Sequence, residues 1–121
     1  MATIFLIDDD SSIITLFDKF LTLLGHEIVA KAYNGEEAVK IFYEFRKIPD
    51  LILMDHRMPI KDGLTAAKEI LEFNNDIKII ICSADCSIKN EVLALGVFYF
   101  LEKPFKLEKL SQLIEKVSLE N

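Results

Sequence analysis

Five short apolar runs alternate with longer segments of helical period, and this alternation restricts the fold more than any other feature of the chain. The runs are TIFLI (3–7), EIVAKA (27–32), LILM (51–54), IKIIIC (77–82) and VFYFL (97–101). The first, third and fourth are apolar almost throughout, the pattern of parallel strands covered on both faces. The helical segments carry end signals. SSIITLFDKFLTLLG (11–25) spaces Ile13, Ile14, Phe17, Phe20, Leu21 and Leu24 three and four apart, with serines at its start and Gly25 at its stop. NGEEAVKIFYEFRK (34–47) has an Asn cap, Glu36 and Glu37 in its first turn and Arg46 and Lys47 in its last, which suits the helix dipole. GLTAAKEILEF (63–73) packs through Leu64, Ala67, Ile70 and Leu71, and SIKNEVLALG (87–96) and KLEKLSQLIEKV (106–117) complete the set. Five strand-then-helix units in series imply an α/β fold, a single doubly wound five-stranded parallel sheet with helices on both faces, in one domain over residues 1–121.

Composition narrows the function. The net charge is −6, and the longest Lys/Arg cluster is the pair Arg46–Lys47. A nucleic-acid binder carries a basic patch, so direct DNA or RNA binding is disfavoured. The longest uncharged apolar run, VLALGVFYFL (92–101), is about half a membrane span and contains Gly96. The N-terminus lacks the basic flank and long apolar stretch of a signal peptide, so a cytoplasmic protein is expected. Cys82 and Cys86 read as one buried and one loop thiol rather than as metal ligands.

A parallel sheet leaves the C-terminal ends of its strands open, and ligands bind beside them. The first run is followed by Asp8, Asp9 and Asp10, the third by Asp55, the fourth by Ser83, and the fifth by Glu102, Lys103 and Pro104. Only the second ends blandly, in Tyr33–Asn34. Neighbouring strands lie about 4.8 Å apart, so these groups converge on one rim. Carboxylates brought together either raise a pKa or hold a hard divalent cation, and Mg²⁺ with its preference for oxygen ligands explains more of the residues. Carboxylates, a hydroxyl and a lysine suit phosphoryl transfer to an aspartate.

The segments FLIDDD, LILMDHRMPIKDGL, IIICSAD and YFLEKPF together resemble those of the response-regulator receiver domains of two-component signalling, in order and across essentially the whole chain. The resemblance implies the chemotaxis-type, flavodoxin-like strand order 2-1-3-4-5. It implies Asp55 as phosphoacceptor, and Asp8, Asp9, Asp55 and the backbone carbonyl of Arg57 as the ligands of Mg²⁺, with Mn²⁺ or Ca²⁺ able to substitute. Ser83 matches the switch hydroxyl, with Ala84 beside it at the phosphate, Lys103 the phosphate-contacting lysine, and Phe100 the switch aromatic. Lys103–Pro104 matches a peptide that is usually cis in the family. Phe100 stands where Tyr is frequent and cannot donate a hydrogen bond, so switching there works by packing.

Other readings compete. A phosphatase with an aspartate nucleophile usually carries a D-x-D motif after its first strand and a cap domain, for which there is no spare length. An electron carrier would need a Ser/Thr/Gly-rich loop for flavin phosphate where the aspartates stand. A non-phosphorylated interaction domain would be expected to have degraded motifs, which here are intact. The leading expectation is a phosphoacceptor signalling domain, not an ordinary enzyme, with Mg²⁺-dependent self-phosphorylation and autodephosphorylation. Its partners would be a histidine kinase and a downstream effector or phosphotransfer protein, and it would be a monomer or a weak phosphorylation-dependent dimer. No effector domain is expected within the sequence. Asp10 is assigned only surface charge or tuning of the metal, and His26 and His56 are read as ordinary loop residues. Arg57 and Asp85 are expected to face each other above Asp55 and to hinder attacking water.

Overall fold

A computed structural model describes residues 1–120 of the chain. Strands β1 (Thr3–Ile7), β2 (Glu27–Ala32), β3 (Leu51–Asp55), β4 (Lys78–Ser83) and β5 (Tyr99–Glu102) alternate with helices α1 (Ser11–Leu23), α2 (Gly35–Glu44), α3 (Gly63–Phe73), α4 (Lys89–Ala94) and α5 (Leu107–Glu120). The strands form one parallel sheet in the order β2-β1-β3-β4-β5, the doubly wound arrangement expected. Register sets Ile7 beside Met54, Asp55 beside Cys82, and Ser83 beside Glu102. The polar residues that end or follow four strands therefore share one rim.

The continuous apolar runs are explained by two cores, one on each face. Phe5, Ile7, Ile52, Met54, Ile79 and Ile81 point toward α2, α3 and α4, where Ala38, Phe42, Ala67, Ile70 and Val92 meet them. Their neighbours Ile4, Leu6, Leu51, Leu53, Ile80 and Cys82 point the other way, onto Ile14 and Leu21 of α1 and Leu110, Ile114 and Val117 of α5. With alternate residues buried on opposite faces, a polar side chain anywhere inside β1, β3 or β4 would be desolvated. Each fully buried side chain of this size contributes about 1.5–3 kcal/mol.

Several helix ends differ from the sequence expectations. The serines do not cap α1; Asp10 does, accepting from the Ser12 N–H. Helix α2 stops at Glu44, so Arg46 and Lys47 lie beyond its last turn. Phe45 leaves the helix in an extended conformation and packs edge-on against Phe5 (centroids 5.3 Å apart) and Phe42 (6.1 Å). Aromatic burial there outweighs the few tenths of a kcal/mol a helix-end cation offers. The α4 segment is a 3₁₀ turn (Cys86–Ile88) followed by six helical residues. β5 begins at Tyr99, two residues later than the apolar run.

His26 is no ordinary loop residue. It is buried, and its Nδ1 accepts from the Ala2 N–H at 3.0 Å, fixing the entry to β1. Among the described residues no helix is long and apolar enough to cross a membrane.

Candidate functional site

The three consecutive aspartates divide their work. Asp8, directly after β1, is buried, and its Oδ1 accepts from the Asp10 N–H at 2.9 Å. That bond turns the chain so that Asp9 is exposed at the rim and Asp10 enters α1 as its cap. Asp55 is the last residue of β3 and 7% exposed. A cleft of about 710 Å³ is lined by Asp8, Asp9, Asp10, Ile13, Asp55, Arg57, Ser83, Ala84, Asp85 and Lys103. Every polar group anticipated at the strand ends, apart from Glu102, is thus brought together.

Lys103 reaches across from the end of β5, with its Nζ 2.5 Å from Asp55 Oδ1. Its own N–H donates to the Ser83 carbonyl at 2.9 Å, which ties the two loops, and the Lys103–Pro104 peptide is cis. The Ser83 Oγ is buried and accepts from the Asp85 N–H at 3.0 Å, so its O–H remains available to donate. Phe100 lies inside the α2/α3/α4 core, 5% exposed. Tyr99, beside it, is partly covered, with Lys109 Nζ over its ring at 5.3 Å.

The charges explain the site's need. Burial, and then the nearby carboxylates of Asp55 and Asp9, push Asp8 up to about 6, against the opposing pull of the Asp10 N–H and Lys103. Burial alone would lower Lys103, but the hydrogen bond and charge of Asp55 outweigh it and hold the ammonium form. One lysine among three carboxylates leaves an anionic cavity. Carboxylate oxygens of Asp8, Asp9 and Asp55 all lie within 4.8 Å of one another, an all-oxygen set that suits a hard divalent cation such as Mg²⁺. Cys82, directly beneath, has its thiol pushed up by burial and is inert.

Arg57 and Asp85 line the same cleft, but the Asp85 carboxylate is engaged as a cap. It accepts from Ser87 N–H (3.0 Å) and Ser87 Oγ (2.5 Å). These bonds, and then the Arg57 charge, hold it below the usual carboxylate range.

The turn after Asp55 is pinned from three sides. His56 N–H donates to the Cys82 carbonyl, the Gly35 N–H at the start of α2 donates to the Lys61 carbonyl, and Lys61 N–H donates to Pro59 O at 2.7 Å. That last contact closes a γ-turn on Ile60, whose φ of 72° is rare for a β-branched residue. Sequence reasoning missed this turn and the roles of Asp10 and His56. Asp10 had a readable signal, an acidic residue directly before S-S-I-I. The histidine bonds depend on tertiary approach and had none.

Residues 4–115 match the family described as "Response regulator receiver domain". The chain is 38% identical over 119 residues to the Chemotaxis protein CheY of Bacillus subtilis, covering 96% of this chain and 98% of that one. It is 32% identical over 117 residues to the Chemotaxis protein CheY of Thermotoga maritima, covering 95% and 96%. Among solved structures it resembles the response regulator TrrA of Thermotoga maritima in complex with Mg²⁺ and BeF, with a TM-score of 0.85 at 32% identity, covering 97% of this chain and 99% of that one. It also resembles the CheX–CheY–BeF3–Mg complex of Borrelia burgdorferi, with a TM-score of 0.89 at 27% identity, covering 95% and 87%.

Proposed function

Because this chain belongs to the response regulator receiver family of two-component signalling, we propose that it accepts a phosphoryl group on Asp55 from a histidine kinase and passes the signal through a change of surface. The observation that carries this reading is the buried Asp55 carboxylate held by Lys103 within a cluster of three converging carboxylates. An Asp55 oxygen attacks the phosphorus of a phosphohistidine or small acyl phosphate. The new bond is O–P, the donor's P–N or P–O bond breaks, and the leaving group takes the electron pair. It departs as neutral imidazole when its other ring nitrogen already carries a proton, or as a carboxylate from an acyl phosphate.

The residues around Asp55 serve that transfer. Lys103, a compact point charge, shifts from the free carboxylate to a phosphoryl oxygen. Ser83 donates its O–H to a second oxygen, with the Ala84 backbone alongside. Asp8, Asp9, Asp55 and the Arg57 carbonyl would hold Mg²⁺, which when bound neutralises charge on the phosphoryl oxygens. Relatives solved with Mg²⁺ and BeF support this metal.

The switch follows from the bonds Ser83 already makes. A pull on its hydroxyl competes with the Asp85 N–H, while its carbonyl holds Lys103. Movement of this strand end reaches the 3₁₀ turn and β5, where Phe100 is packed in the core. The outcome is a population shift between two surfaces, read by a downstream effector or phosphotransfer protein in the cytoplasm.

Acetyl phosphate with Mg²⁺ tests the reading. One phosphoryl group should be taken up, and a chelator should stop the uptake. Steady turnover of a phosphomonoester without a phosphorylated protein would point to a hydrolase and overturn it.

A further inference from the structure

We infer that His56 is a positioning residue for the metal-holding turn, its ring and its carbonyl together clamping the start of α3 to the residue between Asp55 and Arg57. The first N–H groups of a helix need partners from outside it. In α3 two of them go to Asp62 in ordinary capping, Thr65 to its Oδ1 (2.8 Å) and Ala66 to its carbonyl (3.0 Å). The other two go to His56, Gly63 to its carbonyl at 2.7 Å and Leu64 to its Nδ1 at 3.2 Å. A ring nitrogen that accepts carries no proton, so this bond fixes the tautomer with the proton on Nε2.

His56 is held on its other side too, its N–H donating to Cys82 O at 3.0 Å. Gly63 lets the helix come this close, since a Cβ there would lie 2.5 Å from the Asp55 carbonyl and 2.8 Å from His56 Cα. Residue 56 is therefore fixed to β4 and to α3 at once. Its neighbours in the chain are the acceptor carboxylate and the carbonyl assigned to the metal. Drift at 56 moves both, and a hard cation binds best where its oxygens are already placed.

The inference rests on the metal reading above, and three full-length variants separate the two. The Asn oxygen in His56→Asn reaches the place of Nδ1, whereas the Gln oxygen in His56→Gln sits one bond farther out; His56→Ala offers none. Each is titrated with Mg²⁺ by NMR or calorimetry, and hydrogen exchange of the Leu64 amide is followed without metal. His56→Ala should weaken Mg²⁺ binding about 10-fold and expose the Leu64 amide. His56→Asn should restore both, and His56→Gln neither. If His56→Ala fails to fold, the Asn–Gln contrast still decides. Wild-type Mg²⁺ affinity in His56→Ala or His56→Gln, or an Asn variant as weak as the Gln one, overturns the inference. A wild-type chain that binds no Mg²⁺ overturns the metal reading itself.

Discussion

His26 and Asp55 show how burial gives a polar side chain its role. Burial and then the N-terminal ammonium hold His26 below its usual 6.5, with Glu115 opposing weakly, so the ring is neutral in the fold. A depressed value means stability is complete above the unfolded pKa and is lost as pH falls through the folded one. Urea unfolding should therefore show the wild type weakening below about pH 6.5, and His26→Ala should cost about 1–3 kcal/mol at neutral pH by orphaning the Ala2 N–H. Parallel pH profiles for wild type and His26→Ala would contradict this account. At Asp55, the proposed acceptor, Arg57→Ala should speed loss of phosphate from the phosphorylated protein if Arg57 shields Asp55 from water. An unchanged dephosphorylation rate would leave Arg57 with its carbonyl role alone. Asp55, Ser83 and Lys103 were legible in the sequence because each follows an apolar run. The capping role of Asp10 was signalled by the S-S-I-I that follows it, but three like residues in a row masked that signal.

Among elements, the approach of α3 to β3 is the contact on which the placement of Asp55 depends. Gly63→Ala should destabilise the protein by roughly 1–3 kcal/mol and weaken Mg²⁺ binding with it, as measured by urea midpoint and metal titration. A variant of wild-type stability would mean that the Asp55–His56 backbone yields easily. Ile60→Gly should raise stability by about 1 kcal/mol, since strain of roughly 1–3 kcal/mol exceeds the flexibility cost of glycine, about 0.5–1 kcal/mol. A lower urea midpoint would assign the exposed Ile60 side chain a packing role. Element positions were legible because period and burial agree along β1, β3 and β4. Helix ends were less so: α2 ends where Phe45 finds Phe5 of β1, a contact between distant parts of the chain that local end signals do not encode.

For the whole molecule, alternation alone gave five strand–helix units and a parallel sheet, while the order 2-1-3-4-5 came from the family resemblance. Strand order decides the site, because it brings Asp8 and Asp9 beside Asp55 and leaves Lys103 to span β4. The folded chain concentrates anionic charge at this rim on top of a net −6. Mg²⁺ at a hundredfold excess over its dissociation constant should therefore stabilise the fold by about 2.7 kcal/mol, beyond any effect of NaCl at equal ionic strength, and Asp9→Ala should lose most of that gain. The most direct test of the central claim is intact-protein and peptide mass spectrometry after treatment with acetyl phosphate and Mg²⁺. One phosphoryl group on the peptide containing Asp55, and none in a folded Asp55→Asn variant, is the predicted result. Labelling that persists in Asp55→Asn, or a folded wild type that takes up no phosphate, would contradict it.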